Sequence, residues 1–295
     1  MTCKTHQSHA RQDVSSVSAD HGYVGGMTRL NMILRTTCLA LGLATPAAAG
    51  PFDDLADIEV IPGWQTPEGT HMAAIRVTLR PGWKTYWRAP GDAGIPAHFS
   101  WAGSENITAA QYHWPTPTVF SHHGTRSIGY RDSLILPIEL SQADPDAPTQ
   151  MAGEVTIGVC EEICVPVSLP FAALLPAEGR RDGAIMASLL NQPLSADEAS
   201  VSSATCAITP AEDGLTLTTT LTMPSAGQDE EVVIEAGDPA VWVSEPDISR
   251  SGDQLQATVD MIHASSDSFA LDRSAIRITV LGSDHAVDVR GCAAG

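Results

Sequence analysis

Val155-Thr156-Ile157-Gly158-Val159-Cys160-Glu161-Glu162-Ile163-Cys164-Val165-Pro166-Val167-Ser168-Leu169-Pro170-Phe171 carries the signal that decides the fold. Apolar residues take every second position on the way in (Val155, Ile157, Val159) and again on the way out (Val165, Val167, Leu169, Phe171), which is the period of a half-buried strand. The two runs are separated only by the segment holding the cysteines, so Cys160 and Cys164 are expected to flank the tip of a β-hairpin. Facing residues of an antiparallel pair have Cα atoms about 4.5–5.5 Å apart, which overlaps the range a disulfide spans.

The same period recurs on either side. Ala73, Ile75, Val77 and Leu79 alternate with Ala74, Arg76, Thr78 and Arg80, and Leu134, Leu136, Ile138 and Leu140 repeat the pattern. A second set follows: Leu215, Leu217, Thr219 and Leu221; Val232 and Ile234; Leu255, Ala257, Val259 and Met261; Ile276, Ile278 and Val280; Val287 and Val289. Turn residues separate the runs at roughly 8–12-residue intervals, the mark of antiparallel sandwiches, here two in series. Between the sets lie Pro176–Asp182, a short helix expected from Ile185 to Leu190, and a polar run from Gln192 to Ser203. The expected organisation is a first sandwich over 50–178, a linker with a short helix over 179–203, and a second sandwich over 204–295.

The first 49 residues read differently. From Met27 to Arg35 the chain is charged, Cys38 to Ala44 is a short apolar run, and Ala47-Ala48-Ala49 offers small residues, the plan of a secretory signal peptide cut near Ala49/Gly50. The apolar run is shorter than the ~20 residues that span a bilayer. Residues 1–26 are polar and patternless and read as an upstream extension of the translation start. The mature form is expected to be soluble, without a membrane span.

With 16 Lys+Arg against 35 Asp+Glu, the net charge of −19 excludes a general nucleic-acid binder, which needs a basic face to replace condensed counterions. A hydrophobic share of 43% excludes wholesale disorder. Cleavage leaves Cys160, Cys164, Cys206 and Cys292, an even set in an oxidising compartment, so two bridges are expected among three connectivities. Proximity favours Cys160–Cys164, with Cys206–Cys292 as the structural bridge. Glu161 and Glu162 lie between the first two sulfurs and disfavour a thiolate there, which speaks against an oxidising catalyst and for a passive relay.

Cys160-Glu161-Glu162-Ile163-Cys164-Val165-Pro166 is preceded by Pro81-Gly82-Trp83-Lys84-Thr85-Tyr86-Trp87-Arg88-Ala89-Pro90-Gly91-Asp92-Ala93-Gly94-Ile95-Pro96, by Trp114-Pro115, by Ile128-Gly129-Tyr130-Arg131-Asp132 and by Leu136-Pro137. Together these segments resemble the N-terminal periplasmic domain of the thiol:disulfide interchange protein family DsbD, and within it the ScsB branch, linked to suppression of copper sensitivity. The resemblance covers roughly residues 55–176, and this chain has fewer residues between the cysteines than the DsbD domain has. It implies an immunoglobulin-like fold and a periplasmic electron relay of the protein-disulfide reductase type. Cys160 and Cys164 would be its redox pair, a membrane-embedded thiol reductase the donor, and thioredoxin-like periplasmic proteins the acceptors.

The resemblance also implies a cap loop over the sulfurs, here about Pro117–Gly124, with Phe120, His122 and His123 as the shielding residues. No cofactor and no metal-ligand set is assigned. Two alternatives stand beside the relay. One is a copper-binding accessory, in which the dithiol and the His122-His123 imidazoles suit Cu(I). The other is a binding module on immunoglobulin-like domains with two structural disulfides. The tryptophans (Trp64, Trp83, Trp87, Trp101, Trp114) fit sandwich-core packing better than a carbohydrate platform.

Overall fold

The structure, a computed structural model, describes residues 54–91, 94–122, 125–265 and 269–295. The expected leader within residues 1–49 lies outside them.

The first half is built from β1 (Ala56–Gln65), β2 (His71–Leu79), β3 (Lys84–Tyr86), β4 (His98–Ser100), β5 (Ile107–Tyr112), β6 (Thr118–His122), β7 (Thr125–Arg131), β8 (Ser133–Gln142), β9 (Thr149–Cys160) and β10 (Cys164–Leu175). One sheet runs β1-β2-β8-β5; the other runs β10-β9-β3-β7-β6, with β4 also on β9. After α1 (Gly183–Leu190) come β11 (Leu194–Ser195), β12 (Ser203–Ala211), β13 (Gly214–Thr222), β14 (Glu231–Glu235), β15 (Val241–Val243), β16 (Asp247–Ser251), β17 (Gln254–His263), β18 (Arg277–Leu281), β19 (Ala286–Arg290) and β20 (Ala293–Ala294). Their sheets run β11-β19-β18-β14 and β15-β17-β13-β12-β20, with β16 on β17. The molecule is therefore all-β, as two immunoglobulin-like sandwiches. Among the described residues the pairing is antiparallel except where the short strands β11 and β20 join β19 and β12 in parallel.

Period-two burial makes these strands. In β17, Leu255, Ala257, Val259 and Met261 are buried while Gln254, Gln256 and Asp260 face water. β2 departs from that pattern, because Ala74, on the face expected to be solvated, is fully buried. The cause is α1. Ile185 packs onto Ile61, Trp64, Met72 and Ala74, so the outer face of this sheet is covered as well. Asp182 starts the helix by accepting from the Ala184 and Ile185 N–H groups at 2.8 and 3.2 Å, and Ser188 Oγ donates to Ile135 O at 2.7 Å. Residues 179–203 thus do more than connect: the helix packs on the first sandwich and β11 enters the second.

The two halves meet through the outer face of the β11-β19-β18-β14 sheet. Val233, Leu281 and Ala286 of that sheet join the first sandwich's core. Arg88, stacked 3.7 Å over the Trp87 ring, reaches Glu235 at 3.0 Å, Asp288 at 3.7 Å and Thr279 Oγ1 at 3.1 Å. Arg126 reaches Glu231 at 2.6 Å.

Candidate redox site

β9 and β10 pair with Cys160 opposite Cys164, and the two are joined by a disulfide with Cα atoms 4.2 Å apart. Glu161-Glu162-Ile163 closes the tip, the Glu161 N–H donating to Ile163 O at 3.3 Å. The two ends of the bridge differ. Cys160 is only 4% exposed, whereas Cys164 faces solvent beside Ile163, which is 60% exposed. A reagent approaching from solvent meets Cys164 first.

β3 lies on the other side of β9 and supplies the surroundings. Lys84 stands opposite Cys160 on one flank and opposite Arg131 of β7 on the other, so Cys160, Lys84 and Arg131 form one row with side chains on a common face. Tyr86, two residues along, shares that face. A disulfide sulfur has no hydrogen to give, so the Tyr86 hydroxyl donates to Cys164 Sγ, at 3.0 Å. Burial pushes the Tyr86 phenol up, which keeps it a protonated donor. Gly158 makes the approach possible: a Cβ there would stand 2.8 Å from the Tyr86 ring and 2.6 Å from Ile95 Cβ.

The Lys84 ammonium donates to Ser127 Oγ at 2.9 Å and lies 5.3 Å from the Phe120 ring centroid, with the Arg131 guanidinium 5.2 Å from the same ring. Burial, and then the nearby Arg131 charge, pull Lys84 below the usual lysine range. Arg131 is fixed in turn by donating to Gly82 O at 2.9 Å, and Asp132, in the left-handed region at φ 64, accepts from the Gly82 N–H at 2.7 Å. Lys84, Tyr86, Phe120, Arg131 and the two cysteines line one open groove of about 750 Å³.

The expected site residues are placed as follows. Phe120 is in the groove with the sulfurs, its ring against Lys84 and Arg131. The stretch expected as a cap loop includes a regular strand, β6, paired with β7 from Thr118↔Gly129 to His122↔Thr125. The His122 side chain and all of His123 lie outside the described residues. Cys206 and Cys292 are bonded, with Cα atoms 5.7 Å apart; Cys206 is fully buried and Cys292 half-buried. Among the described residues, no three of His, Cys, Asp and Glu converge as metal ligands, and no helix is long and apolar enough to cross a membrane.

Sequence reasoning assigned no role to Lys84, Tyr86 or Arg131, although all three stand in the quoted motifs. It weighed Glu161 and Glu162 because they are neighbours in the chain, whereas the cations arrive from neighbouring strands. The alternation of Lys84 and Tyr86 about the buried Thr85 was the available signal that both point to one face. The motifs also meet in space elsewhere: Tyr130 donates to Pro115 O at 2.7 Å and stacks on Trp114 at 6.4 Å.

Residues 57–176 match the family model described as thiol:disulfide interchange protein DsbD, N-terminal. The crystal structure of the N-terminal periplasmic domain of ScsB from Proteus mirabilis shares the fold, with a TM-score of 0.63 and 21% identity, over 84% of this chain and 97% of that one. No curated protein matches the chain. Residues 57–176, the segment that holds the hairpin disulfide and its groove, are thus similar to the DsbD N-terminal family, and the chain shares the fold of the ScsB domain.

Proposed function

We propose that this protein is a periplasmic thiol–disulfide relay, exported by the segment ending near Ala49, which takes electrons from a membrane-embedded thiol reductase and passes them to thioredoxin-like proteins through Cys160 and Cys164. The observation that carries the reading is the asymmetry of the hairpin disulfide, whose ends share a groove, one sheltered and one exposed to solvent. A donor thiolate attacks Cys164 Sγ; the Sγ–Sγ bond breaks, its electron pair leaves on Cys160, and a mixed disulfide joins donor and Cys164. The donor's second thiolate then attacks its own half of that mixed disulfide and releases the Cys164 thiolate. The domain now holds two electrons more, and protons taken from solvent complete the dithiol. Transfer to the acceptor reverses the order: the Cys164 thiolate attacks the acceptor disulfide and Cys160 resolves.

Thiol trapping of the whole chain in dithiothreitol redox buffers, read by mass spectrometry with Cys160→Ala/Cys164→Ala as control, tests this. The expected result is a reversible two-electron transition above about −300 mV with the fold intact, since inert structural bridges lie below that region. Reduction only together with unfolding overturns the relay.

A further inference from the structure

Attack at Cys164 leaves the departing electron pair on Cys160, the sheltered end of the bridge. A thiolate that emerges in a buried place needs a compensating charge, or its formation is penalised. The groups facing it come from each surrounding element. Glu161 and Glu162 stand at the tip, both exposed to water, which screens their charge. β3 supplies Lys84 and the neutral Tyr86, whose hydroxyl is directed to the other sulfur. β7 supplies Arg131, tied to Gly82 O and one strand further away. β6 supplies Phe120 and Ser121; the His122 side chain is outside the described residues. Among the described residues, only Lys84 combines a positive charge with the position directly opposite Cys160, where Cβ atoms are about 4.5–5.5 Å apart.

We propose that Lys84 is a positioning residue of the exchange, placing its ammonium beside Cys160 so that this cysteine is the stabilised leaving group when Cys164 is attacked. The proposal rests on the relay reading. In the oxidised protein the ammonium is parked on Ser127 Oγ and near the Phe120 ring, both inside the groove that the cysteines line. Its partial burial removes some of its water, so it gains from an anion on the neighbouring strand. The step itself is the one given above: one Sγ–Sγ bond breaks, one intermolecular S–S bond forms, and Lys84 neither gives nor takes electrons.

The test isolates Cys160 as a single thiol in a Cys3→Ser/Cys38→Ser/Cys164→Ser chain, with Cys206–Cys292 left intact, and follows thiolate absorbance at 240 nm against pH. Lys84→Met in that background is expected to raise the Cys160 pKa by about one unit, a tenfold loss of thiolate at a fixed pH below both values. Lys84→Arg is expected to restore it. Lys84→Gln, which keeps a donor for Ser127, carries the same test should the methionine variant not fold. A Cys160 titration unmoved by loss of the charge, or a failure of arginine to restore it in a folded chain, overturns the proposal. The relay reading fails separately, if the bridge of the unaltered chain cannot be reduced with the fold intact.

Discussion

Cys160–Cys164 closes a sequence separation of 4 at the tip of one hairpin, whereas Cys206–Cys292 closes a separation of 86 and ties β12 to the last strand, β20. In the chain-entropy model, loops of these sizes contribute roughly 2 and roughly 4.6 kcal/mol. Their surroundings differ in the same direction. The long bridge is packed in the second core, with Cys206 fully buried and Arg273 Nε donating to its carbonyl at 3.4 Å. The short one has a solvated end and a hydroxyl donor on its sulfur. The hairpin also has eleven further residue pairs, from Val165↔Val159 to Leu175↔Thr149, that hold it without the bond. A disulfide can be spared for chemistry where the strands beneath it are already paired, and cannot where it is what holds a terminal strand in place.

The largest effect should come from the long bridge. Cys206→Ala/Cys292→Ala is expected to lower stability by about 4 kcal/mol in denaturant titrations, while leaving the trapping behaviour of Cys160–Cys164 unchanged. The same change at 160 and 164 should cost about 2 kcal/mol and abolish exchange. Equal losses at the two sites would break the contrast.

Next in size is the contact between the sandwiches. Arg88 and Asp288 are 11% and 12% exposed in their side chains, so Arg88→Met removes a buried cation from Glu235 and leaves Asp288 to Arg277 and Arg290, and is expected to cost about 3 kcal/mol. A pH dependence follows. Burial pushes Asp288 up, but the hydrogen bonds and charge of Arg277, with Arg88 and Arg290, more than offset it, and the net shift is downward. A carboxylate lowered in the folded state gives stability that is fully present above its unfolded value, near 4, and is lost as pH falls through the folded value. Arg88→Met should therefore flatten the acid limb of a stability–pH curve. An unchanged slope below about pH 4 would show that Arg277 and Arg290 set the Asp288 shift without Arg88.

How much of this was legible depended on the range of each interaction. Period two gave the strands, and the spacing of the paired cysteines gave the hairpin, because both are written in consecutive residues. Ala74 was misjudged because the helix that buries it arrives 110 residues later in the chain, at Ala184 and Ile185. The short helix expected from Ile185 to Leu190 was visible, but not the surface on which Ile185, with Ala184, Met186 and Leu189, docks, since Ile61, Trp64, Met72 and Ala74 lie more than a hundred residues earlier. At the redox site the adjacent glutamates were visible and the opposed Lys84 was not, since register across β3 and β9 is a tertiary fact. Nothing in the sequence around Arg88 or Arg126 marks their partners, Glu235 and Glu231, which arrive more than a hundred residues later on the second sandwich's sheet.

The smallest effect, and the one that most sharpens the contrast between the bridges, is that of the Tyr86 hydroxyl. Tyr86→Phe keeps the ring over Gly158 and removes only the O–H that donates to Cys164 Sγ. If that bond serves the disulfide form, its loss destabilises the oxidised chain by about 1 kcal/mol, the usual net worth of a hydrogen bond. Reduction then becomes easier, and the potential of the pair rises by about 20 mV on the two-electron scale. If the hydroxyl serves the Cys164 thiolate more than the disulfide, the reduced chain is the one destabilised and the potential falls. Redox titration of the variant against the unaltered chain distinguishes the two by sign. A rise assigns Tyr86 to keeping the bridge closed between partners, and a fall assigns it to the thiolate that attacks the acceptor.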